Sequence, residues 1–416
     1  MKTKSGEAAG HIVIAIGPPL AARAVAERWG LRDFEEVRTF NVRPFDAPPG
    51  LPKLREELRA FLKEHMPAAP AERRANCWAV ADAGFSRALG AAGYIGMIWP
   101  KAYGGHARHP LERYAVIEEL LAAGAPVGMH WIADRQSGAL LLRYGAEDQR
   151  QRFLPPMARG ELYTCIGMSE PGAGSDLASV RTRGVRVDGG WRISGQKVWT
   201  TNAHNAHLML TLVRTGEGSE RQEGLTQFLI DLKSPGITIR PIIDLVGGHD
   251  FNEVFLDDVL VPDDMLVGEE GAGWKQVTAE LSLERSGPER YLSSFALYLE
   301  LIRRAGPDPE PGVRALIGRL TAELWTLRNM SMSTAAKLAA GEDPALEAAI
   351  VKDLGNSFEQ ELPRAVLAVS EGVDLAEDTD FARILALLLQ VSPSFSLRGG
   401  TREILRGIIA RGLGLR

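Results

Sequence analysis

The chain has 416 residues, of which 45% are hydrophobic and 24% charged, enough apolar material for more than one core without disulfide staples. Its net charge of −5, with no basic block, argues against nucleic acid as a main partner. No apolar run approaches the ~18 residues of a membrane span, and the two cysteines, Cys77 and Cys165, lack metal-type spacing and fit a reducing compartment, so a cytoplasmic protein is expected.

The opening MKTKSGEAAGHIVIAIGPPLAARAVA carries only a short apolar core, broken by Pro18 and Pro19. It reads as an N-terminal extension rather than a secretion signal. Residues 1–50 end in the proline-rich RPFDAPPG, a linker or extended arm. Leu54, Leu58, Phe61 and Leu62 then recur at helical spacing, and amphipathic segments near 78–92, 111–123, 132–144 and 147–158 predict a helical domain over 51–160.

The texture changes at about residue 161. Val185 and Val187, then Asp188-Gly189-Gly190, then Trp191 and Ile193 predict a hairpin. HLMLTLV, LTQFLIDL, GITIRPI and NEVFLDDVLVP predict further strands, so 161–272 is expected to be a β-domain, a barrel or sandwich. From 273 to 416 the pattern is helical again, with Val313, Leu316, Ile317, Leu320, Leu324 and Leu327 on one stripe, as in an antiparallel bundle. The predicted class is α+β: helices, a β-barrel domain, then a four-helix bundle.

Three stretches carry chemistry. CIGMSEPGAGSD (165–176) joins a short strand to a Pro-Gly turn, with the Ser169 hydroxyl and backbone N–H groups at Gly174-Ser175. It lacks the βαβ context of a dinucleotide fingerprint, and on the glycines alone a tight interstrand turn is the simpler reading. KVWTTN (197–202) sets Trp199 beside two threonines, a flat apolar wall with hydroxyls that suits a planar heteroaromatic cofactor, although a strand tryptophan is more often core. SFSLRGGTREILRG (394–407) has a glycine pair, Gly399-Gly400, before a short helix with Thr401 at its N-cap and Ile404, Leu405, Ile408 and Ile409 as its apolar stripe. The spaced histidines His204/His207 and His106/His109 lack a carboxylate cluster and are not expected to hold a metal.

Taken together, MSEPGAGSD, SGQKVWTTN, FNEVFLDDVLVPDDMLVGEEGAGW and the following helices resemble the acyl-CoA dehydrogenase family over roughly residues 51–416. The resemblance implies FAD bound between the β-domain and the bundle, an acyl-CoA substrate, and an electron-transfer flavoprotein as electron acceptor. It implies that Ile166, Met168 and Ser169 face the flavin edge, that Trp199 lies against the ring, and that Thr201 bonds near its N5. Thr401 and Glu403 would also touch the cofactor, while Ser175, Arg285 and Gly399 would touch the thioester.

The implied reaction needs a dry carboxylate for the α-proton and preorganised donors for the enolate oxygen. Many family members keep that glutamate in an E-G-T-x-x-I pattern before the last helix. Aligned on Gly400, Thr401 and Ile404, this chain has Gly399 there. Members resembling isovaleryl-CoA and long-chain dehydrogenases carry the base on the first bundle helix instead, where LSLERSGPERY (281–291) offers Glu284. Glu284 is therefore the candidate base, with Glu289 and Glu403 as fallbacks, and an ion-paired surface carboxylate as the plainer role. The family's R-x-x-F-G and Q-x-x-G-G-x-G elements are not recognisable, which opens a heterotetramer of related chains beside a homotetramer. A non-catalytic partner subunit and a flavin monooxygenase on the same fold are the alternative functions.

Overall fold

The computed structural model describes residues 47–216, 221–283 and 286–415; the expected arm and most of the linker lie outside them. Helix α1 (Leu51–His65) buries Leu51, Leu54, Leu58 and Leu62, one face of a helix begun by Pro52. After α2 (Ala71–Ala75) comes α3 (Ala83–Ala91), which is shorter than the 78–92 predicted. Its start is set by Asp82, whose carboxylate accepts from the Phe85 N–H at 2.8 Å. Helix α4 (Pro110–Ala122) is capped by His109, whose Nδ1 accepts from the Leu111 N–H at 3.2 Å while Glu112 takes the His109 N–H at 3.0 Å. One of the spaced histidines thus terminates a helix.

The helix expected over 132–144 opens instead with a wide π-turn at Ala133–Ser137 before α5 (Gly138–Tyr144). There Asp134 accepts from the Gly96 N–H at 2.8 Å and from Arg113 at 2.6 Å, tying the turn to its neighbours rather than to its own helix. Helix α6 (Glu147–Ala158) closes this part.

The predicted strands form one eight-stranded sheet: β1 (Thr164–Gly167), β2 (Arg183–Val187), β3 (Gly190–Lys197), β4 (Leu208–Arg214), β5 (Leu225–Asp231), β6 (Ile237–Ile242), β7 (Phe251–Pro262) and β8 (Leu266–Val267). Its order is β6-β7-β3-β2-β4-β5-β8, with β1 added parallel to β4. The hairpin lies where the sequence puts it, Val187 pairing Gly190 across Asp188-Gly189, with Gly189 at φ +75°. Strands β4 and β5 are buried along nearly their whole length, Thr211, Thr226 and Gln227 included, because both faces are covered. One cluster joins sheet residues to Leu140, Phe153 and Met157 of the helices; another packs Leu212 and Leu225 on Val277.

The remaining elements are α7 (Gly273–Leu283), a 3-10 turn at Pro288–Arg290, α8 (Phe295–Ala305), the 29-residue α9 (Pro311–Ala339), α10 (Ala345–Ala368), α11 (Asp380–Val391) and α12 (Arg402–Gly412). The predicted stripe from Val313 to Leu327 lies in the bundle core. On α12 only Leu405 of the predicted stripe is buried, and Ile404 is exposed. Buried Glu118 of α4 ties the helical layer to the bundle, accepting from Arg328 Nε at 2.7 Å, Tyr291 Oη at 3.2 Å and Arg55 at 2.5 Å. Among the described residues no helix is long and apolar enough to cross a membrane.

His130 is buried beside α3, its Nδ1 2.8 Å from Ser86 Oγ. Burial pushes its imidazole down from the ordinary 6.5 to about 4. Below pH 6.5 the unfolded chain takes up a proton that the folded chain refuses, so this group's contribution is lost as pH falls from 6.5 to 4. The loss amounts to about 3 kcal/mol, at 1.36 kcal/mol per pH unit. Denaturant unfolding across this range should show that decline in the wild type and a shallower one in His130→Gln.

Candidate active site

Trp199 is 59% exposed, so it is no core tryptophan. Its backbone is left-handed at φ +59°, and Asn202 follows at φ +56°, a conformation that costs a residue with a Cβ roughly 1 kcal/mol or more. Reciprocal bonds hold it: Thr200 N–H to Asn252 O and Asn252 N–H to Thr200 O, both 3.1 Å, with Asn202 N–H to Asp250 O at 2.9 Å. The Asn202 amide donates to Ala79 O at 3.2 Å, anchoring the loop to the helical layer. The indole's described aromatic neighbour is Phe251, edge-on with ring centroids 5.9 Å apart. Nearby, His204 stacks on His249 at 3.9 Å instead of presenting ligand nitrogens with His207, whose Nδ1 accepts the Tyr163 N–H at 3.0 Å.

The two central motifs meet here. Val198 N–H donates to Ser169 O at 2.9 Å, placing Met168 and Ser169 beside Trp199. Beneath them Lys197 is fully buried and donates to Glu170 at 2.8 Å, Leu212 O at 2.7 Å and Met168 O at 3.3 Å. Glu170 also accepts the Arg181 and Thr182 N–H groups at 2.7 and 2.9 Å. Burial pushes the Lys197 ammonium down to about 8 despite its partner. For Glu170 burial opposes ionisation, but Lys197 and the N–H donors hold its carboxyl below the usual range. Both residues lie inside the motifs read from the sequence, and neither stood out there. In sequence Lys197 stands between Gln196 and Val198, a setting that does not mark it as buried.

The Pro171-Gly172 turn is closed by reciprocal Glu170–Ala173 bonds of 2.9 and 3.0 Å. Gly174 and Ser175 are exposed on it, with open space where a Cβ on Gly172 or Gly174 would stand. Ile166 and Thr201 are half-buried. An exposed aromatic face in a fixed strained loop, with hydroxyls and an open glycine turn at its side, is a cradle that a flavin ring fits.

At the other end of the chain Gly399 and Gly400 have φ of +66° and +98°, a left-handed pair that glycine adopts cheaply. A Cβ on Gly399 would lie 3.1 Å from both Arg290 Nη2 and Lys352 Cε, and Lys352 Nζ donates to Gly400 O at 2.9 Å. Buried cations, which sequence reading passed over, therefore line this turn. Arg398 stacks on Trp78 at 5.1 Å and on Phe395 at 4.6 Å, and donates to Ser293 and Glu359. Thr401 stands at the N-cap of α12 without a side-chain cap bond. Glu403 is exposed, its carboxyl lowered by its own N–H and the Thr401 hydroxyl. Glu284 and Arg285 lie outside the described residues. Glu289 is buried, accepts from Arg135 and is ion-paired with Arg290 at 3.4 Å.

Residues 51–161, 165–259 and 271–414 match the family models described as the N-terminal, middle and C-terminal domains of acyl-CoA dehydrogenase. Among curated proteins, acyl-CoA dehydrogenase IpdE1 of Mycobacterium tuberculosis is 35% identical over 80% of this chain and 87% of its own length. The chain belongs to the acyl-CoA dehydrogenase family. Acyl-CoA dehydrogenase FadE34 of Mycobacterium tuberculosis is 36% identical over 86% of this chain, which spans 48% of that longer protein. Two solved structures superpose on it. The Tcur3481-Tcur3483 steroid ACAD covers 90% of this chain and 100% of its own, with a TM-score of 0.81 at 26% identity. The ChsE4-ChsE5 complex from Mycobacterium tuberculosis has the same coverage, with a TM-score of 0.77 at 28% identity. The fold is thus that of a flavoprotein oxidoreductase family.

Replacing Lys197 with Met strands the Glu170 carboxylate in the core. The expected cost is about 3–5 kcal/mol, read by denaturant unfolding. Glu403→Gln, on the exposed end of α12, should stay within about 0.5 kcal/mol of wild type.

Proposed function

We propose that the protein oxidises an acyl-CoA thioester to its 2-enoyl thioester using FAD, and passes the electrons to an electron-transfer flavoprotein. The observation that carries this reading is Trp199, held exposed in a left-handed loop and hydrogen-bonded through Val198 to Ser169. Bound flavin supplies the acceptor for the hydride that leaves the β-carbon. Trp199, Thr201, Ile166, Met168 and Ser169 hold that flavin, with Thr401 and Glu403 at the start of α12; Ser175 and Arg285 hold the thioester. Glu284 takes the α-proton, and the Gly399 N–H donates to the thioester oxygen as charge develops there. The cations around Gly399 support a base from elsewhere, since Arg290 and Lys352 occupy the space beside that position.

The chain works, in this reading, in the cytoplasm and within a tetramer containing a related chain that completes the FAD site. The resemblance to the Tcur3481-Tcur3483 and ChsE4-ChsE5 assemblies favours this over a homotetramer. Co-expression with a neighbour-encoded homologue should give a yellow complex, whereas the chain alone should purify nearly colourless. Equal flavin content in the two preparations argues against the mixed tetramer. In the yellow form, Glu284→Gln should keep its flavin and lose substrate-dependent bleaching by at least ~10²-fold. Bleaching at the wild-type rate removes Glu284 as the base.

A further inference from the structure

Two histidines flank the Trp199 loop and stack on each other. His204 follows the loop and His249 precedes β7, with ring centroids 3.9 Å apart and 16° between the planes. Their shared partner is the Asn252 side chain, which is fully buried. Asn252 Nδ2 donates to Thr200 O at 3.0 Å. This turns Oδ1 toward the rings, where His249 Nε2 stands at 2.8 Å and His204 Nδ1 at 3.2 Å. The turn that carries His249 also reaches Trp199 directly, since Phe251, between Asp250 and Asn252, meets the indole edge-on.

The hydrogen bonds dictate the protonation that this arrangement needs. Asn202 donates its amide nitrogen to Ala79 O at 3.2 Å and Gly128 O at 3.4 Å, so its Oδ1 faces Asn205 Nδ2, also at 3.2 Å. That Asn205 nitrogen lies 2.9 Å from His204 Nε2, and because it is a donor, Nε2 accepts. A neutral imidazole that accepts at one nitrogen donates at the other. His204 Nδ1–H is then the donor to Asn252 Oδ1, although Asn252 Nδ2 is as near, at 3.1 Å. Proton uptake puts an N–H on Nε2, donor against donor, and Asn205 must turn and give up Asn202 Oδ1. Asn202 is the left-handed residue that pins the loop to the helical layer. The stack takes one proton, because two like charges this close repel strongly. The charged groups beside the pair are Asp250, Asp244 of the same turn and, from the helical layer, Arg73. Glu253, next to Asn252, bonds Gln196 instead, and β1, packed against the His204 turn, brings Cys165 as its one titratable group. Burial, and then the His249 ring, hold the His204 imidazole below its ordinary 6.5.

We propose that the neutral His204–His249 pair, through Asn252 and Asn205, positions the Trp199 indole, and that a single proton taken up by the pair loosens it. The two histidines and the two asparagines are then positioning residues, acting on the indole through the backbone of its loop. Resting on the reading of Trp199 as the flavin's wall, the consequence is a cradle that is firm at neutral pH and loose in mild acid.

The test follows the full chain, labelled with 5-fluorotryptophan, from roughly pH 8 to pH 5, the span over which imidazoles titrate. Trp199→Phe assigns one of its eight tryptophan resonances. That fluorine resonance is expected to shift along a one-proton curve with its midpoint below 6.5, while the others move less. The double variant His204→Asn/His249→Gln puts amide nitrogens in place of Nδ1 and Nε2 without titrating, and there the curve is expected to vanish. In Asp250→Asn it is expected to stay. A Trp199 resonance that is flat, that loses its curve with Asp250, or that titrates unchanged in the double variant overturns the inference. If the double variant does not fold, the wild-type and Asp250→Asn curves decide. Flavin content of the yellow co-expressed complex, read over the same range, is expected to drop with the same midpoint. A titrating Trp199 with constant flavin supports the inference and counts against the flavin reading of that residue.

Discussion

The buried ion pair between Lys197 and Glu170 is the constraint on which the site depends. It stands at the crossing of β3, β4 and the glycine-rich turn, and its three acceptors fix the Met168 carbonyl, the Leu212 carbonyl and the Glu170 side chain to one nitrogen. A buried pair of this kind is poor evidence for stability, because desolvation consumes much of its attraction. Its value is geometric. A point charge with three fixed acceptors leaves the adjoining strands one register, and that register puts Ser169 against Val198 and turns Trp199 outward.

The strained backbone at Trp199 follows from this. Left-handed tryptophan is tolerated because Asn252 and Asn202 over-determine the loop from both sides, one through the sheet and one through the helical layer. Strain of this sort, held by surroundings that are themselves rigid, preorganises an aromatic face before any ligand arrives. The glycine turn before α12 is set among charges: Arg290 and Lys352 crowd Gly399, and Lys352 donates to the Gly400 carbonyl.

Much of the architecture was legible from periodicity. The alternation in VRVDGGWRISG gave a hairpin of the right residues, and the stripe from Val313 to Leu327 was a core face. Helix starts were less legible because they turn on single side chains: Asp82 moved one by several residues, and the ties of Asp134 opened a π-turn that no propensity marks. For the candidate site, sequence reading named exposed and half-buried residues such as Trp199 and Ser169 and passed over the buried charges beneath them. Lys197, Glu170, Arg290 and Lys352 are buried charges. Their meaning lies in partners tens of residues distant, which spacing along one element cannot display. Trp199 shows the converse, since its two readings differed only in exposure, and exposure is a property of the folded chain.

Glu118 has a mechanical consequence. One carboxylate on α4 is shared by Arg55 of the first described helix and by Arg328 and Tyr291 of the bundle region. Separating the two helical layers would break these bonds together and leave several donors without their shared acceptor. The changes of texture near residues 161 and 273 mark changes in the kind of secondary structure, and Glu118 joins the helices on either side. Two stretches of helix that the sheet separates in sequence are thus clasped through one side chain.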